Sequence, residues 1–98
     1  MSTEPKVKVL ANKESIKMGE TVIFTAKVEN PEEFTSTYIF WSISSGEIIS
    51  GQYTSTITVK ATPESAQGKI TATFETGNGY IYSECRKALS QPIQVSKP

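Results

Sequence analysis

The chain of 98 residues contains no histidine, and all ten of its acidic residues are glutamate. Without an imidazole there is no histidine general base, no Ser-His-Asp or Cys-His nucleophile arrangement and no histidine-ligated metal. Without aspartate, the EF-hand loop and other Asp-rich calcium motifs are excluded. Paired glutamates can still do acid–base work. Glu32 and Glu33 are adjacent, but they follow Pro31 in a stretch that reads as a solvated loop. The sequence predicts no catalytic residues, no metal and no cofactor.

Cys85 is the only cysteine and Arg86 the only arginine. An intrachain disulfide is excluded, so the domain must stand on its core, and a lone cysteine does not fix the redox compartment. A neighbouring cation can activate a thiol, but adjacent strand residues point to opposite faces. Cys85 is expected to be a small buried apolar residue, with an exposed thiol or a bond outside the chain as the alternatives. Basic and acidic residues balance to a net charge of zero, which leaves no electrostatic footprint for nucleic acid or for an anionic membrane. The longest apolar run, Tyr38-Ile39-Phe40-Trp41, is strand-sized and far short of the ~20 residues of a membrane helix. Met1 to Pro5 lacks the basic and apolar regions of a signal peptide. Two expectations stay open: a domain taken from a longer exported protein, which is favoured, or a cytosolic location.

What the sequence does contain is Val, Ile, Thr, Tyr and Phe in short runs of period two, separated by Gly, Pro, Asn and Ser. Val7 and Val9 alternate with Lys6 and Lys8. Residues 15–17 form a short piece before a Met18-Gly19-Glu20 turn. Residues 21–29 alternate most clearly, with Val22, Phe24, Ala26 and Val28 on one face, as a sheet with one buried face requires. In residues 37–44, Ile39, Trp41 and Ile43 share a face opposite Tyr38, Phe40 and Ser42. Strands are further expected over 47–50, over 53–60 with Ile57 and Val59 inward, and over 69–76 with Ile70, Ala72 and Phe74 opposite Thr71, Thr73 and Glu75. Residues 63–68 form a polar loop with room for one helical turn. Gly77-Asn78-Gly79 signals a hairpin. Residues 80–95 begin at Tyr80 and Tyr82, are interrupted at Ser90-Gln91-Pro92, where proline marks a bulge or an edge, and end on Ile93 and Val95. About seven short strands with turns every ~8–12 residues predict a single all-β, two-sheet sandwich spanning 1–98, with its core over about 6–95.

Several of these segments resemble a known family. Gly19-Glu20-Thr21-Val22-Ile23-Phe24-Thr25-Ala26, Tyr38-Ile39-Phe40-Trp41-Ser42-Ile43-Ser44-Ser45-Gly46 and Ile70-Thr71-Ala72-Thr73-Phe74-Glu75 resemble strands of bacterial Ig-like and PKD-like domains. Ile49-Ser50-Gly51-Gln52-Tyr53-Thr54-Ser55-Thr56-Ile57-Thr58-Val59 is the segment most specific to the PKD-like variant. The resemblance runs from about Gly19 to Val95. It departs from the family in lacking the W-D-F-G-D-G turn and the late cysteine pair, and in placing Tyr53 where glycine is usual. It implies an extracellular, cell-surface or periplasmic module of a larger bacterial or archaeal protein, acting as spacer, adhesion unit or accessory domain.

In such a fold Trp41 belongs to the core between the sheets, the alternative being a sugar-stacking role. Tyr38 and Phe40 then face outward, with Thr71, Thr73 and Glu75 on a neighbouring strand and Tyr80 and Tyr82 on the adjoining hairpin. Tyr38, Phe40, Thr71, Thr73, Tyr80 and Tyr82 form the candidate binding face, for a neighbouring domain, another protein or a glycan. Otherwise these residues are cross-strand pairs that stabilise the sheet, or are covered by a neighbouring domain. Lys6, Lys8, Lys13 and Lys17 read as a solvated edge that discourages sheet-to-sheet pairing. The leading expectation is a non-catalytic surface module. The alternatives are a carbohydrate-binding accessory domain and an intracellular or phage structural Ig-like domain.

Overall fold

The computed structural model describes residues 6–29, 38–63, 68–78 and 81–96; for 6, 29, 78 and 81–86 it describes the backbone alone. Among the described residues every regular element is a strand: β1 (Lys6–Ala11), β2 (Ser15–Lys17), β3 (Thr21–Glu29), β4 (Tyr38–Ile43), β5 (Glu47–Ser50), β6 (Thr56–Lys60), β7 (Lys69–Ile70), β8 (Ala72–Asn78), β9 (Ile81–Leu89) and β10 (Ile93–Ser96). A four-stranded antiparallel sheet has the order β1-β3-β6-β5, and two three-stranded groups have the orders β4-β8-β9 and β2-β10-β7. The last two follow one another along the same chain segments. Thr71 separates β7 from β8, and residues 90–92 separate β9 from β10.

The period-two pattern is realised as burial. Val22, Phe24 and Ala26 of β3 and Ile57 and Val59 of β6 are buried, and Trp41, Phe74, Ile70, Ile93 and Ile16 join them in the same cluster from the other strands. The registers Phe24↔Ile57 and Trp41↔Phe74 place large side chains opposite one another. The Trp41 and Phe74 rings meet edge to face, with centroids 4.9 Å apart at 62°, the geometry aromatic quadrupoles favour. The result is a sandwich-like arrangement with one core.

Three local outcomes differ from the sequence expectation. The strand expected over 53–60 begins at Thr56, because residues 51–55 form a turn, with the Thr54 N–H donating to the Gly51 carbonyl at 2.9 Å. The hairpin signalled at Gly77-Asn78-Gly79 is present, since β8 pairs antiparallel with β9 up to Asn78↔Ile81, but Gly77 and Asn78 are strand residues rather than its turn. The single strand expected over 69–76 breaks at Thr71, where the Ser44 N–H donates to the Thr71 carbonyl at 3.0 Å and the Thr71 N–H to Ser44 Oγ at 2.9 Å. The helical turn considered at 63–66 and the acidic pair Glu32 and Glu33 fall outside the described residues, apart from Pro63.

The interruption at 90–92 is held by Ser90. This side chain is only 6% exposed. Its Oγ accepts the Ala72 N–H at 2.9 Å, while its own N–H donates to the Ala72 carbonyl at 2.8 Å. Ser90 thus supplies both a donor and an acceptor to Ala72 where the β8–β9 ladder ends. Ser90→Ala leaves the buried Ala72 N–H without its acceptor and is expected to cost about 1–3 kcal/mol, readable as a lowered midpoint in urea melts. A loss below a few tenths of a kcal/mol would show that another acceptor takes over.

The registers also place the first and last described strands. Lys6 of β1 pairs with Glu29 at one end of β3, whereas the Ser96 carbonyl accepts the Met18 N–H at 2.9 Å, near the Thr21 end of β3. At ~3.4 Å per residue, a strand the length of β3 separates these ends by about 30 Å. The first and last described strands therefore point out of opposite poles.

Candidate functional site

Tyr38 and Phe40 lie on β4, and alternation places them on the side away from Trp41. The sheet register sets their neighbours. Phe40 faces Glu75 of β8, which faces Lys87 of β9; Ser42 faces Thr73, which faces Leu89; Tyr38 faces Gly77. The outer face of β4-β8-β9 is thus a grid three strands wide.

Polar groups on this face bond to each other. The Tyr38 hydroxyl donates to Glu75 Oε2 at 3.1 Å, a diagonal cross-strand contact within reach of a long aromatic side chain. Lys87 Nζ lies 3.3 Å from Glu75 Oε1. Glu75 therefore links all three strands, with its carboxylate shared between a phenol and an ammonium. Exposed as Lys87 is, the ion pair contributes at most about 1 kcal/mol. Two apolar side chains stay open to solvent beside this network: Phe40, 47% exposed, and Leu89, 67% exposed.

Of the six residues expected on the face, Tyr38, Phe40 and Thr73 are brought together on one grid, with Tyr38 and Thr73 half-buried. Thr71 lies just off it, at the break between β7 and β8, with its backbone tied to Ser44. Tyr80 is outside the described residues. Tyr82 lies on β9, where only the backbone is described; residues 82–85 of β9 stand opposite Gly77 alone, between the pairs Thr76↔Arg86 and Asn78↔Ile81. The side chain of Cys85 falls in the same stretch, so the burial expected of it lies outside what is described. Leu89 and Lys87 are members that sequence reasoning missed. Their signal was the register, since each is opposite a residue already assigned to the face.

A second feature was visible in the sequence only as a resemblance. The turn 51–55 is fastened to Trp41 twice: the Trp41 N–H donates to Gln52 Oε1 at 2.7 Å, and Trp41 Nε1 donates to the Thr54 carbonyl at 2.7 Å. Trp41 sits on β4, an edge strand whose outer backbone groups have no strand partner among the described residues. Gln52 supplies one. The turn closes part of an edge that would otherwise be a template for another strand. Tyr53 projects from it, 76% exposed. The lysines expected at a solvated edge behave accordingly. Lys8, Lys13 and Lys17 are exposed on or beside the edge strands β1 and β2, and Lys13 Nζ donates to the Thr21 carbonyl at 3.2 Å.

Among the described residues no group of three or more cysteine or glutamate side chains is placed to hold a metal ion. None of them forms a helix long and apolar enough to cross a membrane. The chain matches no protein-family model and no curated protein.

Proposed function

We propose that this chain is an Ig-like, PKD-like sandwich domain that serves as a non-catalytic interaction, adhesion or spacer module of a larger exported bacterial protein. The fold half of the reading is supported by strand order. An Ig-type sandwich sets strands A, B, E and D in one sheet and C, F and G in the other, with a core tryptophan on C. The orders β1-β3-β6-β5 and β4-β8-β9, with Trp41 on β4, correspond strand for strand. The exported, surface location rests on the sequence resemblance.

The observation that carries the interaction reading is the outer face of β4-β8-β9. Phe40 and Leu89 are left open there, while Tyr38, Glu75 and Lys87 are bonded to one another. Such a surface binds by covering apolar area without having to strip water from unpaired charge. The test replaces Tyr38 and Phe40 together by serine and offers wild-type and variant domains to the flanking domains of the parent protein. The variant is expected to keep its melting temperature within a few degrees and to lose association. If it unfolds instead, the residues are structural and the reading is wrong.

The carbohydrate reading is favoured by a different residue, Tyr53, an exposed ring on a turn anchored at both Gln52 and Thr54. Rigid aromatic rings offer stacking surface at little entropic cost. Pull-down on insoluble polysaccharides, with Tyr53→Ala as control, separates the two: retention that depends on Tyr53 supports the glycan reading, and clean non-binding removes it.

A further inference from the structure

We infer that the cleft between β1 and β10, where the chain crosses from one sheet to the other, is a docking site for an extended acidic segment of a partner protein, which adds a short strand to the edge of β1. The inference goes beyond the interaction reading, because the cleft shares no residue with the outer face of β4-β8-β9. β1 lies beside β9, and β2 pairs with β10. Between these contacts residues 12–14 carry the chain from one sheet to the other, and opposite them residues 90–92 interrupt the second segment. The two irregular stretches leave a cleft of about 470 Å³, with Val9, Leu10 and Ala11 on one wall and Gln91, Pro92 and Ile93 on the other. That volume lies within the roughly 300–1,000 Å³ of ligand-binding clefts. Val9 and Ile93 are buried at its base, so the floor is apolar.

Backbone, edges and charge together choose the occupant. The Asn12 N–H donates to the Ile23 carbonyl at 3.0 Å, and the Ile23 N–H to Asn12 Oδ1 at 2.8 Å. Ala26, opposite Val9, instead donates to the Ser55 carbonyl on its other side at 2.8 Å. In an antiparallel pair these two roles alternate, so Val9 and Ala11 turn their N–H and C=O groups away from β3. β1 ends its sheet, so those groups have no strand partner among the described residues. Other described edges are closed: Gln52 fills that of β4, and β5 is short, with a bulge between Ile48 and Ser50. The pairing of β1 has no such irregularity.

The zero net charge hides an uneven distribution. Residues 6–17, 68–70 and 90–96, which form this side of the domain, hold Lys6, Lys8, Lys13, Lys17 and Lys69 against Glu14 alone. An antiparallel β1–β1 pair between two copies would set lysines against lysines, which disfavours a second copy. An acidic strand meets them with opposite charge. Its side chains level with Val9 enter the apolar cleft, and those level with Lys8 stay outside beside the lysines. Nucleic acids and anionic membranes share the negative charge, but they have no regular row of N–H and C=O groups to pair with Val9 and Ala11. The Gln94 N–H donating to the Glu14 carbonyl at 3.1 Å closes the cleft at one end. The added strand is therefore short, and the side chain that enters the cleft sets its specificity.

A peptide of alternating glutamate and valine tests this by amide chemical-shift mapping on the full chain. Millimolar peptide is expected to move the resonances of residues 9–13 and 91–94 and to leave those of the outer face of β4-β8-β9 in place. A lysine–valine peptide and a glutamate–serine peptide should each bind about tenfold more weakly or less, since one loses the charge match and the other the buried side chain. Lys8→Glu combined with Lys13→Glu should weaken the glutamate–valine peptide about tenfold, the effect of reversing two exposed ion pairs. Lys8 stands opposite Lys27, so its reversal turns a like-charge pairing into an attractive one, and the melting temperature should hold. Raising the salt from about 50 to 300 mM should weaken the wild-type complex too, a readout that needs no variant. No shift at the cleft would overturn the proposal, as would equal binding of all the peptides. Tighter binding of a single-stranded oligonucleotide or of phosphatidylglycerol vesicles at the same residues would overturn it in favour of that partner. The Tyr38→Ser, Phe40→Ser variant should bind the glutamate–valine peptide as the wild type does, so failure of the cleft and failure of the outer face are read separately.

Discussion

Trp41→Ala is expected to lower stability by about 3–5 kcal/mol, the range for emptying a buried aromatic site. Small domains hold only ~5–15 kcal/mol in total, so the variant should lose a large share of its stability. Two losses coincide at this residue. The ring is 1% exposed and packs edge to face on Phe74. Its Nε1 is the donor to the Thr54 carbonyl. Trp41→Phe separates the terms: most of the apolar volume stays, and the Thr54 carbonyl loses its donor. That variant is expected to cost about 1–3 kcal/mol, the range for a part-buried polar group left unmatched. Urea melts followed by circular dichroism measure both. A loss below 1 kcal/mol for the alanine variant would mean that Trp41 does not organise the core, and the correspondence with strand C would lose its strongest support.

The sequence made much of this core legible because alternation reports on which face a residue occupies. Val22, Phe24 and Ala26 were assigned inward from β3 alone and are buried, as are Ile57, Val59, Ile70, Ala72 and Phe74. Alternation is silent about edges. Nothing in the pattern of residues 37–44 indicates that the Trp41 N–H points at a gap, or that a glutamine eleven residues later fills it. The same limit explains Thr71. The pattern runs unbroken through Ile70, Ala72 and Phe74, yet the chain leaves one pairing partner for another there, and only the bonds from Ser44 and Ser90 show where. The Gly77-Asn78-Gly79 signal marks a real hairpin, since β8 and β9 pair antiparallel up to Asn78↔Ile81, but cross-strand pairing takes Gly77 and Asn78 themselves into β8. On the candidate face, Tyr38, Phe40 and Thr73 followed from period two. Leu89 and Lys87 required the register of β9, which no local pattern sets.

Gly51→Ala is expected to be far more damaging than Gly19→Ala, its control. Both glycines have positive φ, +89° and +92°. An L-residue in that region costs about 1–2 kcal/mol on steric grounds alone. At Gly19 nothing lies within 4 Å of the added carbon, so this conformational cost is the whole of it. At Gly51 the added carbon collides with the carbonyl oxygen of Thr56 and comes within 3.0 Å of that carbonyl carbon and 3.1 Å of Ile57 Cα. These are backbone atoms at the start of β6, and Ile57 is fully buried, so neither partner can turn aside as a side chain would. Relief must come from moving the turn. The turn carries Gln52 and Thr54, which bond Trp41 at 2.7 Å each. Thr54 itself is locked: its Oγ1 accepts the Thr56 N–H at 3.2 Å and lies 2.8 Å from the Thr56 carbonyl. Shifting residues 51–55 outward therefore exposes the edge of β4 and strips the indole of its acceptor. The expected loss is about 3 kcal/mol or more, since strain at positive φ adds to broken buried hydrogen bonds. Equilibrium melts of the two alanine variants give the difference directly. The sole tryptophan supplies a second reading, because its emission should move toward that of a solvated indole in Gly51→Ala and stay unchanged in Gly19→Ala. Equal costs at the two glycines would show that the turn relaxes freely, and that its hold on Trp41 contributes little to the fold.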